Sequence, residues 1–176
     1  MKLTALLLIM IITNQSMTIF NFNKSSTINN WQVVNDDVMG GRSSGSFSLD
    51  EDGHGVFQGQ ISLENNGGFS SVRYRFGEMN TKEYSKVVLR IKGDGKKYQF
   101  RIKEKSSDFH SYITTFQTTQ EWETISLELS DMSPSFRGNK LDMPNYDKEG
   151  LEEIAFLIAN KKTEGFKLEL DNIVLE

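Results

Sequence analysis

Apolar and polar residues alternate along most of this chain. Phe57, Gly59, Ile61 and Leu63 take turns with Gln58, Gln60, Ser62 and Glu64. The same period of two carries Val87, Leu89 and Ile91, then Tyr98, Phe100 and Ile102, then Ile125, Leu127 and Leu129. It returns in Phe166, Leu168 and Leu170, with Ile173 and Leu175 continuing it. A strand turns successive side chains to opposite faces, so this period predicts strands with one face in a core and the other in water. Residues 154–159 break the pattern, being apolar throughout. Six such residues are short for a buried helix and predict a central strand covered on both faces.

The glycines fall mostly between these runs. Gly93-Asp94-Gly95 predicts a hairpin between the strands on either side of it, and Asp50-Glu51-Asp52-Gly53 predicts another turn. One short helical turn is expected over residues 147–152. In the strand expected over 69–76, Ser70, Val72, Tyr74 and Phe76 share one face, and Phe69, Ser71, Arg73 and Arg75 the other. The first face is the apolar one, which turns Arg73 outward onto the sheet. Many short strands and glycine-rich turns, with no repeat or linker, predict an all-β sandwich or barrel forming one domain over residues 18–176.

The beginning of the chain is different. Residues 3–12 are almost wholly apolar after a basic Lys2, and polar residues follow. About 20 apolar residues are needed to span a bilayer, so this run predicts no transmembrane span. It fits an export signal over residues 1–16, which places the protein in the periplasm or outside the cell. Translation from Met17 would instead leave it in the cytoplasm.

Charge and composition narrow the chemistry. In 176 residues, 20 Lys+Arg against 24 Asp+Glu give a net charge of -4, which argues against a nucleic-acid partner. The chain has no Cys, which excludes thiol nucleophiles and disulfides, and 2 His make a multi-histidine metal centre untenable. His54 and His110 lie in no nucleophile motif, and no carboxylate pair stands out for glycosidase chemistry. No cofactor, metal or catalytic residue is expected from these residues.

Two polar clusters remain. Asn35-Asp36-Asp37-Val38-Met39-Gly40-Gly41-Arg42-Ser43 follows Trp31, and Asn65-Asn66-Gly67-Gly68-Phe69-Ser70-Ser71-Val72-Arg73 leads into a strand. Each reads equally as a turn, since Asn and Asp bond their own backbone and Gly permits positive φ. The first lacks the acid spacing of an EF-hand, and the second lacks the G-K-[ST] of a phosphate loop. Trp31 and Trp122 suit either a packed core or a stacking platform for sugars.

Taken in order, these strings resemble one family. Trp31, both clusters, Phe57-x-Gly59, Gly93-Asp94-Gly95 with Tyr98, Trp122, Phe136-Arg137-Gly138 and the run from Gly165 to Ile173 are similar to the complex I intermediate-associated protein 30 family. The match runs from about Phe20 onward. The resemblance implies a jelly-roll β-sandwich of galactose-binding-like type. It implies a non-enzymatic binding or assembly role with a protein partner in a respiratory or other membrane complex. In that frame Asp36, Asp37, Arg42, Arg73 and Arg137 are expected to line one polar groove, with the alternative of an ion-pair network that pins loops. Trp31, Gly40, Gly41, Gly67, Gly68, Asp94 and Trp122 are expected to support the fold. The rival reading is an exported module for a carbohydrate or small polar ligand.

Overall fold

The computed structural model describes residues 15–176. The apolar run of the expected export signal lies outside the described residues. Thirteen strands follow one another: β1 Met17–Asn21, β2 Trp31–Asn35, β3 Ser44–Leu49, β4 Gly55–Ile61, β5 Ser70–Asn80, β6 Lys86–Lys92 and β7 Lys97–Lys103, then β8 Ser111–Gln117, β9 Trp122–Glu128, β10 Ser133–Phe136, β11 Asn139–Lys140, β12 Gly150–Ile158 and β13 Glu164–Leu175.

They build two antiparallel sheets. One runs β3-β4-β13-β6-β9, with β1 pairing β13, and the other runs β11-β10-β8-β7-β12-β5-β2. The alternating apolar residues form the inner faces. Phe57, Leu89, Ile91, Leu168 and Leu170 of the first sheet are fully buried, as are Tyr98, Phe100, Ile154 and Phe156 of the second. Burying side chains of this size away from water is the main force holding the two layers together. At one end of the sandwich Trp31 lies between the rings of Phe47 and Tyr74, 4.9 and 4.8 Å away. Trp31 is therefore core, and its buried Nε1 has no partner among the described residues.

The pattern in the last strand has a physical explanation. Phe166, Leu168 and Leu170 are even-numbered, whereas Ile173 and Leu175 are odd. Register against β6 shifts between Leu170 and Asn172, which is a β-bulge. One extra residue there lets both sets face the same core.

Two local expectations fail. Gly93-Asp94-Gly95 does not close a hairpin, because β6 pairs β13 and β9 while β7 pairs β12 and β8. The segment is a corner that carries the chain from one sheet to the other. Asp94 fastens it by accepting from the Tyr98 hydroxyl at 3.0 Å, the Lys96 ammonium at 2.8 Å and the Lys167 amide at 3.0 Å. Nor is there a helix over 147–152. The buried Tyr146 hydroxyl donates to the Gly150 carbonyl at 2.7 Å and lies 3.1 Å from Thr81 Oγ1, holding this stretch against β12 as it begins. Among the described residues, helical geometry is confined to three short 3₁₀ turns at Asp36–Met39, Glu64–Asn66 and Leu129–Asp131. No helix among the described residues is long and apolar enough to cross a membrane.

Candidate functional site

The two polar clusters meet through Asp36. Its carboxylate is fully buried and accepts four hydrogen bonds. Ser43 supplies its amide at 2.9 Å and its hydroxyl at 2.5 Å, and the amides of Gly68 and Phe69 approach at 2.6 and 3.2 Å. Burial by itself would raise this carboxyl. The Ser43 hydroxyl and the three amides outweigh it and hold Asp36 below the usual carboxylate range. Gly41 is required beside it, since a Cβ there would come within 2.3 Å of Asp36 Oδ1. Gly40 closes the 3₁₀ turn in the left-handed region, with φ of 88°. Asp36 thus joins two loops more than thirty residues apart. Its valences are met by protein donors.

The outer face of the seven-stranded sheet holds a groove of about 710 Å³. Residues directly opposite one another across strands point to the same side, so register shows how its floor is built. Arg101 of β7 pairs Ala155 of β12, and Ala155 pairs Arg73 of β5. Two strand spacings set these two arginine backbones about 10 Å apart, with only a methyl group between them. The next row is Lys103, Glu153 and Arg75. There the buried Glu153 carboxylate takes Arg75 Nε at 2.7 Å.

Cations dominate the lining. Arg73, Arg101, Lys103, Arg137 and Lys161 line the groove, with Glu153 the one acidic residue among them. The Arg73 side chain makes no hydrogen bond or ion pair among the described residues, although its backbone pairs within the sheet. Arg101 bonds Gln99 Oε1 at 2.8 and 3.0 Å, a neutral partner on its own strand. Burial, and after it the neighbouring Arg73, push the Arg101 guanidinium down to about 10. Burial also lowers Lys103, and Arg73 and Arg75 add to the effect while Glu153 opposes it.

The rim is apolar. Met39 is 66% exposed, Phe109 63%, Leu63 44% and Phe136 38%, and all four border the groove. Met39 follows β2 and Leu63 precedes β5, on one side of the floor. Phe109 precedes β8 and Phe136 ends β10, on the other. Phe109 and Phe136 meet edge to face, 5.4 Å apart at 76°, and Arg137 lies over the Phe136 ring at 5.2 Å. His110 packs against Phe109 and Tyr112, with both ring nitrogens buried and without a partner.

The structure therefore divides the residues singled out from sequence. Arg73 and Arg137 line the groove, as do Gly67 and Gly68. Asp36 lies behind it as a tie between loops. Asp37 is exposed on the 3₁₀ turn, where its carbonyl accepts the Gly40 amide at 2.9 Å. Arg42 pairs with Glu64 at 3.0 Å on the open surface and does not line the groove. Asp94 sits in the corner between the two sheets, and Trp122 on the other sheet. Trp122 is half-buried on that sheet's outer side, against His54 at 4.6 Å and Arg90 at 5.8 Å, so the two tryptophans form no common platform. Arg101, Lys103, Phe109, Met39 and Leu63 were not anticipated. Their signal was indirect: a strand apolar on both faces needs a cover, and here the cover over Ala155 and Leu157 is made by long cationic side chains.

Fold and site together define a jelly-roll β-sandwich of galactose-binding-like type, with an open groove on one sheet. The model of the complex I intermediate-associated protein 30 family matches residues 20–170, and the chain belongs to that family. The mitochondrial complex I intermediate-associated protein 30 of Drosophila melanogaster is 22% identical over 183 residues, which cover 90% of this chain and 62% of the fly protein. The chain thus spans less than two thirds of that relative's length. Among solved structures, a family 11 carbohydrate-binding module of Clostridium thermocellum, bound to a β-1,3-1,4-mixed-linked tetrasaccharide, superposes with a TM-score of 0.69. It is 19% identical, and the match covers 91% of this chain and 94% of the module. A family 29 carbohydrate-binding module gives 0.53 at 15% identity, covering 92% and 91%. An agarase gives 0.60 at 14% identity, over 92% of this chain and 24% of the enzyme. At such identities the likeness establishes the fold, and function must be argued from the site.

Proposed function

We propose that this chain is a non-catalytic binding module that holds a partner protein during assembly of a membrane-bound respiratory complex. The groove over Ala155 is the surface it uses. One observation carries this: a cationic floor ringed by four exposed apolar side chains, on a protein whose net charge is -4. Exposed apolar side chains gathered round a polar concavity mark interaction surfaces. Membership of an assembly-factor family supports a protein as the partner. The second reading is an exported module for a carbohydrate or small polar ligand. It draws on the solved carbohydrate-binding modules and on the open ring of Phe109.

Site-specific photo-cross-linking in the native cells distinguishes them. A photoreactive residue at Phe136 is expected to capture subunits of a membrane-arm complex, and one at Trp122 on the opposite sheet is not. Cross-links from Trp122 alone, or none from either position beside binding to a mixed-linked glucan, would overturn the assembly reading. Sequencing the N-terminus of protein recovered separately from the cytoplasm and from outside it tests the export expected of residues 1–16: a chain beginning near Met17 in the cytoplasm alone would overturn it.

A further inference from the structure

We infer that the groove's occupant is an extended acidic peptide segment of the partner, with a carboxylate seated between Arg73 and Arg101 and apolar side chains on the two banks. The inference rests on the assembly reading and names the chemistry the groove selects.

The floor calls for an anion. Five cations line it, and the one carboxylate among them, Glu153, already accepts from Arg75. Arg73 and Arg101 face each other across Ala155 without an acid between them. The two like charges repel across that gap, and the proton affinity of Arg101 is lowered first by burial and then by Arg73. A carboxylate placed between them would relieve that repulsion and accept from two guanidinium forks. A neutral sugar supplies no such charge.

The banks call for apolar side chains. Met39 and Leu63 are flexible aliphatic groups, suited to meeting other aliphatic groups. On the far side Phe136 already has Arg137 over its face, and Phe109 meets it edge-on, so the two rings present no flat pair for a sugar. An extended peptide sends alternate side chains in opposite directions. Acidic residues directed at the floor, with apolar residues between them reaching the banks, would satisfy both parts of the site at once.

The test uses the full chain and three labelled twelve-residue peptides of alternating sequence, Glu-Leu, Gln-Leu and Lys-Leu, read by fluorescence anisotropy. The Glu-Leu peptide should bind at least about tenfold more tightly than Gln-Leu, as one charge-assisted hydrogen bond implies. Its binding should weaken between 50 and 300 mM NaCl because salt screens exposed charge. Arg73→Gln and Arg101→Gln should each cost about tenfold or more with the melting temperature unchanged. Met39→Ser combined with Phe109→Ser should also weaken it. Equal affinity for the Glu and Gln peptides would overturn the inference, as would undiminished binding by a folded Arg73→Gln/Arg101→Gln protein. Displacement of the peptide by polygalacturonate at lower concentration would transfer the site to acidic sugars and overturn it too. Should the double variant unfold, Arg73→Lys with Arg101→Lys keeps the charge but loses the forks, and unchanged affinity in that protein counts against the inference. The two readings fail separately. A Phe136 cross-link to a complex subunit that survives Arg73→Gln/Arg101→Gln defeats the acidic segment alone, whereas no cross-link defeats the assembly reading.

Discussion

Replacing Asp36 tests whether the first polar cluster is a structural tie. Asp36→Ala leaves the Ser43 hydroxyl and the amides of Ser43, Gly68 and Phe69 without their acceptor. A hydrogen bond to a charged group contributes about 1.5–3 kcal/mol, but four on one carboxylate do not add, and water can reach some of the freed donors. The expected loss is about 3–5 kcal/mol, the range for removing one member of a buried charged network. For a chain of this size that lowers the melting temperature by roughly 6–20 °C. Urea unfolding followed by tryptophan fluorescence measures the loss, with an unchanged slope showing that the unfolded state is unaltered. Asp36→Asn should lose nearly as much, because it directs an NH₂ group at donors. The carboxyl lies below its ordinary value when folded, so its contribution is present above about pH 4 and disappears as pH falls through the folded value. The gap between the native protein and Asp36→Asn must therefore close in acid. A loss under about 1 kcal/mol at neutral pH, against the 3–5 expected, or a gap indifferent to acid, would refute the structural role.

Gly59→Ala should destabilise by about 2 kcal/mol or more, because the new Cβ would sit 1.9 Å from the Ser44 carbonyl oxygen of the paired strand; thermal melting reads this directly. Trp31→Ala should cost about 3–5 kcal/mol. Trp122→Ala should cost only about 0.5–1.5, the worth of its aromatic contacts. Denaturant titration of the pair would contradict the placement of the two residues if their order were reversed. Tyr146→Phe removes the bond to the Gly150 carbonyl, and a loss of about 1–2 kcal/mol is expected in the same assay. Glu153→Gln should lower stability by about 1–3 kcal/mol, yet tighten Glu-Leu peptide binding by making the groove more positive. Unchanged or weaker peptide affinity there would count against a field-driven site.

Strands with one wet face were legible because period two survives in the residues themselves. β4, β6, β7, β9 and β13 lie where Phe57, Val87, Tyr98, Ile125 and Phe166 begin their alternations. Strand partners were not legible. The Asp-Gly between β6 and β7 has local hairpin chemistry, yet Asp94 spends its acceptors on Tyr98, Lys96 and Lys167 and turns the chain into the other sheet. The groove was half legible for the same reason. Arg73 and Arg137 belong to recognisable strings, whereas Arg101 and Lys103 look like ordinary solvent-facing positions of an alternating strand. Only the pairing of β5, β12 and β7 gathers them, across gaps of tens of residues. The two aspartates show the opposite error: adjacent and alike in sequence, they diverge because the 3₁₀ turn buries Asp36 and leaves Asp37 outside.

The place of β13 bears on how the chain can acquire its fold during synthesis. It is the latest of the described strands in chain order, yet it sits between β4 and β6 and also receives β1. A ribosome delivering this chain releases β1, β3, β4, β6 and β9 with their central template still missing. β3 can pair β4 and β6 can pair β9, but the two pairs stay unjoined until residues 164–175 emerge. That sheet's long-range closures place folding toward the slow end for a single domain. A chain shortened by the length of β13 would lose the strand on which every other part of that sheet depends.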